Sequence, residues 1–194
     1  MTARPSVTSR VSTSRSLGPP VQFSPTTLIS ASAILTGTQP ISLGPNVIVQ
    51  IRARMTSTYG PINISENCLI SERASIGLLS SPATTQDEDD PAGVSLAPGV
   101  VIESGATVEA ASVGAYTIIE AGAKVGNGAV IGEHCKVCAM VQVGEGAVVG
   151  NGIVVYGSGW GEWRSEHGRQ ELEGMRRAAV SEQFEVLRRC WTGK

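Results

Sequence analysis

The chain has 194 residues, a formal net charge of −2 and 16% charged residues, which allows one substantial domain and gives no bulk attraction to nucleic acid. Glycine is abundant, with 23 residues, whereas aromatic residues make up only 4%, so the core is expected to consist of small and β-branched side chains. No run of about 18 apolar residues occurs, and we predict a soluble protein without direct membrane insertion.

Residues 1–20 are rich in serine and threonine, include Arg4, Arg10 and Arg15, and have hardly any large apolar side chains. They cannot bury enough surface to offset ordering entropy, so we expect a disordered basic tail. A mitochondrial transit peptide is the competing interpretation of a segment rich in Arg and Ser and free of acids. Pro5, however, interrupts the amphipathic helix that such a peptide needs.

Large aliphatic residues recur every six positions along most of the chain that follows. The predicted structural core is the longest unbroken run, which comprises Val113, Ile119, Val125, Ile131, Val137, Val143, Val149 and Val155. The same phase occurs earlier at Leu43, Val49, Met55, Ile64, Ile70, Ile76, Leu96, Ile102 and Val108, and Ile29 and Leu35 open it. Internal repeats of this kind are typical of solenoids.

A period of six predicts short strands separated by corners. It cannot form one stripe of an α-helix, because 3.6 residues per turn would carry the aliphatics around the whole surface. Three hexads form one triangular coil, and coils stacked about 4.8 Å apart hydrogen-bond through their backbones. The sequence therefore predicts an all-β solenoid, a parallel β-helix over residues 21–157, with an aliphatic ladder inside and glycines at corners.

Two segments depart from the hexads. A projecting acidic loop is expected at about 79–93, which contains the run Asp87 to Asp90 and has neither period nor apolar content. Residues 158–194 are predicted to form a linker and a C-terminal amphipathic α-helix, over about 166–191. The helix should pack on the β-helix through Val180, Phe184, Leu187 and Trp191.

No residue type that carries chemistry forms a convincing site, and we predict no catalytic, cofactor-binding or metal-binding residues. His134 and His167 are the only histidines, whereas a zinc enzyme of the hexapeptide type needs three. His134 is interpreted as a solvated corner residue, with a lone general base as the alternative. Cys135 and Cys138 form a C-x-x-C without a second pair, so reduced structural thiols in the cytosol are expected.

The hexads resemble the left-handed β-helix superfamily, which includes many acyltransferases and the γ-class carbonic anhydrases. The left-handed sense is implied by that resemblance alone, since parallel crossovers are normally right-handed. The alternative function that it implies is a homotrimeric enzyme of either kind.

A narrower resemblance rests on four features. They are residues 40–44 (PISLG), residues 52–55 (RARM), the acidic loop, and residues 154–157 (VVYG) before a helix. In these the chain resembles the dynactin subunit 6 family. The resemblance implies a non-catalytic structural subunit of the dynactin pointed-end complex in the cytoplasm, associated with the cytoskeleton. Its implied partners are dynactin subunit 5, dynactin subunit 4 and the pointed-end actin-related protein, and its implied role is to support cargo or adaptor attachment for dynein.

Overall fold

The computed structural model describes residues 18–78, 93–157, 163–164 and 169–192, and within the last of these ranges the side chains of 174, 177–178 and 181–190. Most of the predicted tail, the acidic loop and the linker lie outside the described residues, as do His167 and the side chains of Val180 and Trp191. No helix of the described chain is long and apolar enough to cross a membrane.

Twenty-one short strands and one helix make up the described chain. In chain order the strands are β1 (Val21–Phe23), β2 (Leu28–Ile29), β3 (Ile34–Gly37), β4 (Ile41–Leu43), β5 (Ile48–Val49), β6 (Arg54–Ser57), β7 (Ile62–Ile64), β8 (Leu69–Ile70), β9 (Ser75–Ile76), β10 (Val94–Leu96), β11 (Val101–Ile102), β12 (Thr107–Val108), β13 (Ser112–Val113), β14 (Ile118–Ile119), β15 (Lys124–Val125), β16 (Val130–Ile131), β17 (Lys136–Val137), β18 (Gln142–Val143), β19 (Val148–Val149), β20 (Ile153–Val155) and β21 (Trp163–Arg164). The helix, α1, spans Arg169–Thr192.

From β1 to β20, every third strand belongs to the same parallel sheet. Sheet A has the order β1-β4-β7-β10-β13-β16-β19, sheet B the order β2-β5-β8-β11-β14-β17-β20-β21, and sheet C the order β18-β15-β12-β9-β6-β3. The three sheets are the walls of a left-handed parallel β-helix of about six turns, which confirms the predicted fold class. Only β21 is antiparallel to its neighbour, β20.

The inside of the prism is filled by the aliphatic ladder. The eight residues predicted as the structural core all point inward and expose at most 5% of their surface. In the corners between them lie smaller residues that are fully buried, among them Thr117, Ala123, Ala129 and Cys135. A ladder of like-sized side chains gives each coil the same cross-section, so successive coils stack in register.

The coils differ in length only where the hexads are interrupted. Ser112 of β13 pairs with Val130 of β16, eighteen residues later, so an unbroken coil consists of three hexads. Ser95 of β10 pairs with Ser112 only seventeen residues later. The missing residue between Val108 and Val113 is therefore absorbed at the corner between sheets C and A, and the strands on either side keep their register.

The left-handed backbone conformation recurs three residues after an inward aliphatic, and Gly37, Gly77 and Gly157 have positive φ at other positions. The occupants of the recurrent position are Asn46, Arg52, Asn67, Arg73, Gly99, Gly105, Tyr116, Gly122, Gly128, His134, Met140, Gly146 and Gly152. Glycine is required for a different reason at some of the positions directly after an inward aliphatic. At Gly114 a Cβ would overlap the backbone of Gly132 and Glu133 in the next coil. Close approach of two backbones selects glycine there.

Helix α1 lies along a side wall of the prism. Its Phe184 is 8% exposed and packs with Ile48, Leu69 and Val101, which point outward from sheet B, and Leu187 packs at the edge of the same cluster. We name the outward-facing residues Leu28, Ile48, Leu69, Val101 and Ile118 the sheet B outer row. Burial of a large apolar side chain stabilises a fold by about 1.5–3 kcal/mol, so Phe184 is a main anchor of the helix.

Candidate functional site

The histidine and cysteines considered for chemistry in the described chain do not form a metal site. Within the described part of the chain, no group of three or more His, Cys, Asp and Glu side chains is arranged to hold a metal ion. His134 lies at the corner between sheets A and B, where its backbone has a φ of 54°. The side chain is half-buried.

The ring of His134 stacks on the ring of Tyr116, which occupies the same corner one coil earlier. Their centroids are 5.3 Å apart and their planes differ by 12°. The backbone N–H of His134 donates to the carbonyl of Ala115 at 2.8 Å. His134 is thus part of the stacked corner, with its ring against an aromatic neighbour.

The cysteines fill structural positions in the described coils. Cys135 is fully buried and its Sγ donates to the carbonyl of Gly150 at 3.0 Å, whereas Cys138 is half-buried at the next corner. Cys68 is fully buried too, and this burial raises the pKa of its thiol to about 12. Its Sγ lies 3.2 Å from the carbonyl of Ala97.

A cation–π contact fixes helix α1 to the corner between sheets A and B. The guanidinium carbon of Arg177 lies 4.8 Å from the centroid of the Tyr116 ring. Tyr116 in turn lies over Gly99, where a Cβ would come within 2.6 Å of its Cδ1. Such a cation–π contact at an exposed site is worth about 0.5–1 kcal/mol, which adds to the anchoring of the helix by Phe184.

The same corner carries two asparagines in earlier coils. Asn46 and Asn67 both have a left-handed backbone, with φ of 57° and 55°. The Nδ2 of Asn46 donates to the Oδ1 of Asn67 at 3.2 Å, and the backbone N–H of Asn46 donates to the Oγ1 of Thr26 at 2.9 Å. Asn46, Asn67, Gly99, Tyr116 and His134 therefore form one column, which we name the A–B corner column.

A cleft runs between this column and helix α1. Its volume is about 240 Å³. Its lining residues are Asn46, Asn67, Tyr116, Arg177, Ser181, Phe184, Glu185 and Arg188. The helix contributes one face of its surface, because these positions follow each other at three, four and seven residues. The cleft combines amide groups, an aromatic ring and two guanidinium groups.

The next outward position of sheet B after the sheet B outer row is charged. Lys136 takes the next outward position after Ile118, and its Nζ lies 2.6 Å from the Oε1 of Glu120. The hydrogen bond from Lys136 lowers the pKa of Glu120, and the same bond raises the pKa of Lys136. The other Glu120 oxygen accepts the backbone N–H of Ala139 at 2.9 Å, so this carboxylate joins two successive coils.

The first coil is an open end of the prism within the described chain. Strands β1, β2 and β3 stand at the ends of sheets A, B and C, each with a neighbour on one side only. Phe23 has the register of the buried Leu43, yet it is 61% exposed. The Phe23 ring is exposed at a position where every later coil has a buried aliphatic. The edges of β1, β2 and β3 also present backbone hydrogen-bond donors and acceptors.

Neither the sheet B outer row nor the cleft was predicted from the sequence. The first five strands of sheet B each begin with two adjacent aliphatics, as in Leu28-Ile29, Ile48-Val49 and Leu69-Ile70. Doublets also occur in sheet C at Ile34-Leu35 and in sheet A at Val130-Ile131, so the signal for this wall is their recurrence in five successive coils. The contact between Arg177 and Tyr116 has no comparable signal, because it depends on where the helix lies along that wall.

Comparison with characterised proteins gives consistent matches. No protein-family model matches the chain. The chain is similar to dynactin subunit 6 of Xenopus tropicalis, with 30% identity over 139 residues, which cover 71% of this chain and 68% of that protein. It is also similar to dynactin subunit 6 of Danio rerio, with 30% identity over 61% of this chain and 62% of that protein. The chain thus spans about two thirds of the length of these relatives.

Solved structures support the fold. A hexapeptide transferase family protein from Anaplasma phagocytophilum superposes with a TM-score of 0.63 and 15% identity, over 88% of this chain and 92% of that one. At this level of identity the likeness concerns the β-helix alone.

Proposed function

Since the chain belongs to the dynactin subunit 6 family, we propose that it is a non-catalytic structural subunit of dynactin that binds other proteins. Its partner would be dynactin subunit 5, within a pointed-end assembly that also holds dynactin subunit 4 and an actin-related protein. In the cell it would be cytoplasmic and associated with the cytoskeleton, and it would support cargo or adaptor attachment for dynein on microtubules.

The observation that carries this proposal is the family match over 71% of the chain. The fold supports a binding role, because a prism of stacked coils is rigid and offers walls and strand edges to partners. We assign the pairing with dynactin subunit 5 to the first coil. A second hexapeptide-repeat chain has parallel strand edges of the same spacing, and it can complete the ladders of β1, β2 and β3.

Phe23 gives the sharpest test of this assignment. The chain is co-expressed with dynactin subunit 5 and the pair is purified through a tag on one partner. Phe23→Asp places a charge in the coil end, and we expect it to abolish co-purification. The matched control is Val148→Asp, since Val148 is 72% exposed and points outward at the far end of sheet A.

The results separate three cases. Pairing that is lost only with Phe23→Asp supports the proposal. Pairing lost only with Val148→Asp would place the contact at the other end. An unmodified chain that never co-purifies with dynactin subunit 5 would refute the pairing itself.

The enzymatic alternative is tested on the purified chain alone. Solution mass and metal analysis of a homotrimer carrying zinc would favour a carbonic-anhydrase-like enzyme over a scaffold. We expect no zinc to co-purify in stoichiometric amount.

A further inference from the structure

We propose that the prism accepts a hexapeptide-repeat partner at its first coil only, because an incomplete last coil and the antiparallel strand β21 close the opposite end. The first coil has three free strand edges at one level, since β1, β2 and β3 each stand at the end of a sheet and each pairs with the coil that follows. A partner coil requires such an end, because its three strands pair with all three walls at once. This inference rests on the first coil as the docking end assigned above, and it adds that the far end of the described prism is closed to such a partner.

The far end of the described prism is not level. Strands β16, β17 and β18 form a complete coil, whereas only β19 and β20 follow them in the parallel sheets of the described chain. Sheet C therefore ends one coil before sheets A and B, a step of about 4.8 Å. A partner coil placed on β19 and β20 would leave the edge of β18 without a neighbour, so its third wall could not join sheet C.

Sheet B is blocked at the far end by β21. This strand pairs with β20 in the antiparallel direction, with Val154 opposite Trp163. The outward residue of a sheet B strand donates its backbone N–H to the next coil, as Ile118 does to the carbonyl of Cys135 at 3.0 Å. Val154 has the same outward place, since it pairs in register with Lys136 and through it with Ile118, so its backbone N–H faces β21. Antiparallel and parallel ladders have different hydrogen-bond patterns, and β21 therefore occupies the edge that a parallel partner strand would need.

The two end rungs differ in the apolar surface that a partner could cover. At the first coil Phe23 is 61% exposed, and Ile29 and Leu35 are half-buried. The aliphatics of the last rung expose at most 5% of their surface, and they are Val143, Val149 and Val155. Because the hydrophobic driving force follows the apolar area removed from water, docking is favoured at the first coil and gains little at the far end.

The backbone leaves the repeat at Gly157. In the regular corners the residue with positive φ is the third after an inward aliphatic, as Gly152 is after Val149. Gly157 has a φ of 76° but is only the second residue after Val155. A left-handed residue this early turns the chain out of the six-residue repeat, and glycine adopts that conformation without steric cost. Gly157 therefore contributes to ending the coil.

The experiment restores the repeat in the full chain. In a completed variant, residues 157–161 (GSGWG) are replaced by AMVQV, which is the sequence of residues 139–143 in the preceding coil. The replacement removes the glycine of the early turn and supplies the two inward aliphatics of a sheet C strand. Because the far end then matches the first coil of another copy, we expect head-to-tail association. In sedimentation velocity the weight-average mass should rise more than about threefold between dilute and concentrated samples, whereas the unmodified chain should show no such growth.

Two controls accompany the completed variant. In the first, the inserted segment is AMSQS, which keeps the loss of Gly157 but omits the inward aliphatics, and we expect no association. In the second, Phe23→Asp is added to the completed variant. The mass should then return to that of the unmodified chain, because the charge would be buried in the junction between copies. Urea unfolding measures whether each variant is folded.

A second measurement needs no substitution, and it remains decisive if the completed variant does not fold. Ile41 donates its backbone N–H to the carbonyl of Pro20 in the preceding coil at 3.0 Å. Val21 pairs in register with Ile41, so its own N–H faces the open end, whereas that of Val154 faces β21. In hydrogen exchange followed by NMR, we expect the N–H of Val154 to exchange at least about 100-fold more slowly than that of Val21.

Four results would overturn the proposal. They are open-ended growth of the unmodified chain, a folded completed variant that keeps the mass of the unmodified chain, growth of the completed variant that Phe23→Asp does not reverse, and equal exchange at Val154 and Val21. Every test uses this chain alone. Failure here is therefore distinguishable from failure of the pairing with dynactin subunit 5.

Discussion

Tyr116 and His134 occupy the same corner of successive coils, and their rings stack with centroids 5.3 Å apart. Both residues have a left-handed backbone, with φ of 56° and 54°, a conformation that costs a non-glycine residue about 1–2 kcal/mol. The stack offsets part of that cost, since aromatic pairs contribute about 0.5–1.5 kcal/mol. At this corner Tyr116 and His134 therefore stand where other coils have glycine, and their side chains make a contact between coils that glycine cannot make.

His134→Ala is therefore expected to lower the free energy of unfolding by about 0.5–1.5 kcal/mol, through loss of the stack. His134→Gly loses the same contact but relieves the left-handed strain, so it should be at least as stable as the alanine variant. Urea unfolding followed by circular dichroism measures both. If the alanine variant lost a hydration or acyl-transfer activity that the unmodified chain possesses, the non-catalytic assignment would be wrong.

Ile131 and Val130 are adjacent in β16 and point to opposite sides of the wall. Ile131 is 2% exposed, whereas Val130 is 39% exposed. Ile131→Asp places an unpaired charge inside the prism, and we expect a loss of more than about 4 kcal/mol or complete failure to fold. Val130→Asp should change stability by about 0.5 kcal/mol. Equal effects of the two substitutions in urea unfolding would contradict the inward and outward assignment.

Gly114 and Gly144 share one repeat position but differ in surroundings. A Cβ at Gly114 would overlap the backbone of the next coil, whereas a Cβ at Gly144 meets no atom within 4 Å. Gly114→Ala should destabilise the chain by about 1–3 kcal/mol, as for overpacked sites. Gly144→Ala should be neutral or stabilising by about 0.5 kcal/mol, since it reduces the entropy of the unfolded chain. Their urea midpoints test the order.

The thiols should differ sharply in reactivity. Cys190 is exposed, whereas Cys68 and Cys135 are buried, and burial raises the pKa of Cys68 to about 12. At pH 8 a thiol reagent such as DTNB should modify Cys190 quickly and Cys68 and Cys135 only after denaturation.

Burial of the Cys68 thiol also predicts a loss of stability in alkali. Because the Cys68 pKa is raised above its ordinary 9.0, the contribution of the neutral thiol to the free energy of unfolding is present below pH 9 and lost between about pH 9 and 12. Cys68→Ser should reduce that alkaline loss.

The Glu120–Lys136 ion pair predicts that the free energy of unfolding decreases both in acid and in alkali. Because the pKa of Glu120 is lowered, its contribution is present above its ordinary 4.5 and lost as the pH falls. Because the pKa of Lys136 is raised, its contribution is present below its ordinary 10.5 and lost as the pH rises.

The side chain of Lys136 is 36% exposed and that of Glu120 is 24% exposed. Solvent screening therefore limits the contribution of the ion pair to at most about 1 kcal/mol. Glu120→Gln should therefore be slightly less stable at pH 7, and the difference should vanish in acid. In 1 M salt the difference should shrink as well. A variant that differs from the unmodified chain equally at pH 3 and pH 7 would show that the ion pair is not the cause.

The sequence was sufficient for the fold and insufficient for the cleft. The six-residue period of Val113, Ile119 and Val125 determines which side chains face inward, whereas the left-handed sense of the winding does not follow from the spacing. The helix was expected at about 166–191 and begins at Arg169, and its anchor Phe184 lies against sheet B. The recurrence of aliphatic doublets in sheet B is consistent with the wall that the helix covers, but the approach of Arg177 to Tyr116 depends on tertiary packing, for which the local pattern has no information.

Because each regular coil has eighteen residues, the length of the prism can change only by whole coils. Ser112, Val130 and Val148 repeat the same pairing, so duplication of residues 112–129 would lengthen the prism by one rung of about 4.8 Å. Neither the first coil nor the ladder pairings beyond the insertion would need to change. The separation between whatever binds at the two ends can therefore be adjusted in fixed increments, by gain or loss of whole coils, while each binding surface stays intact.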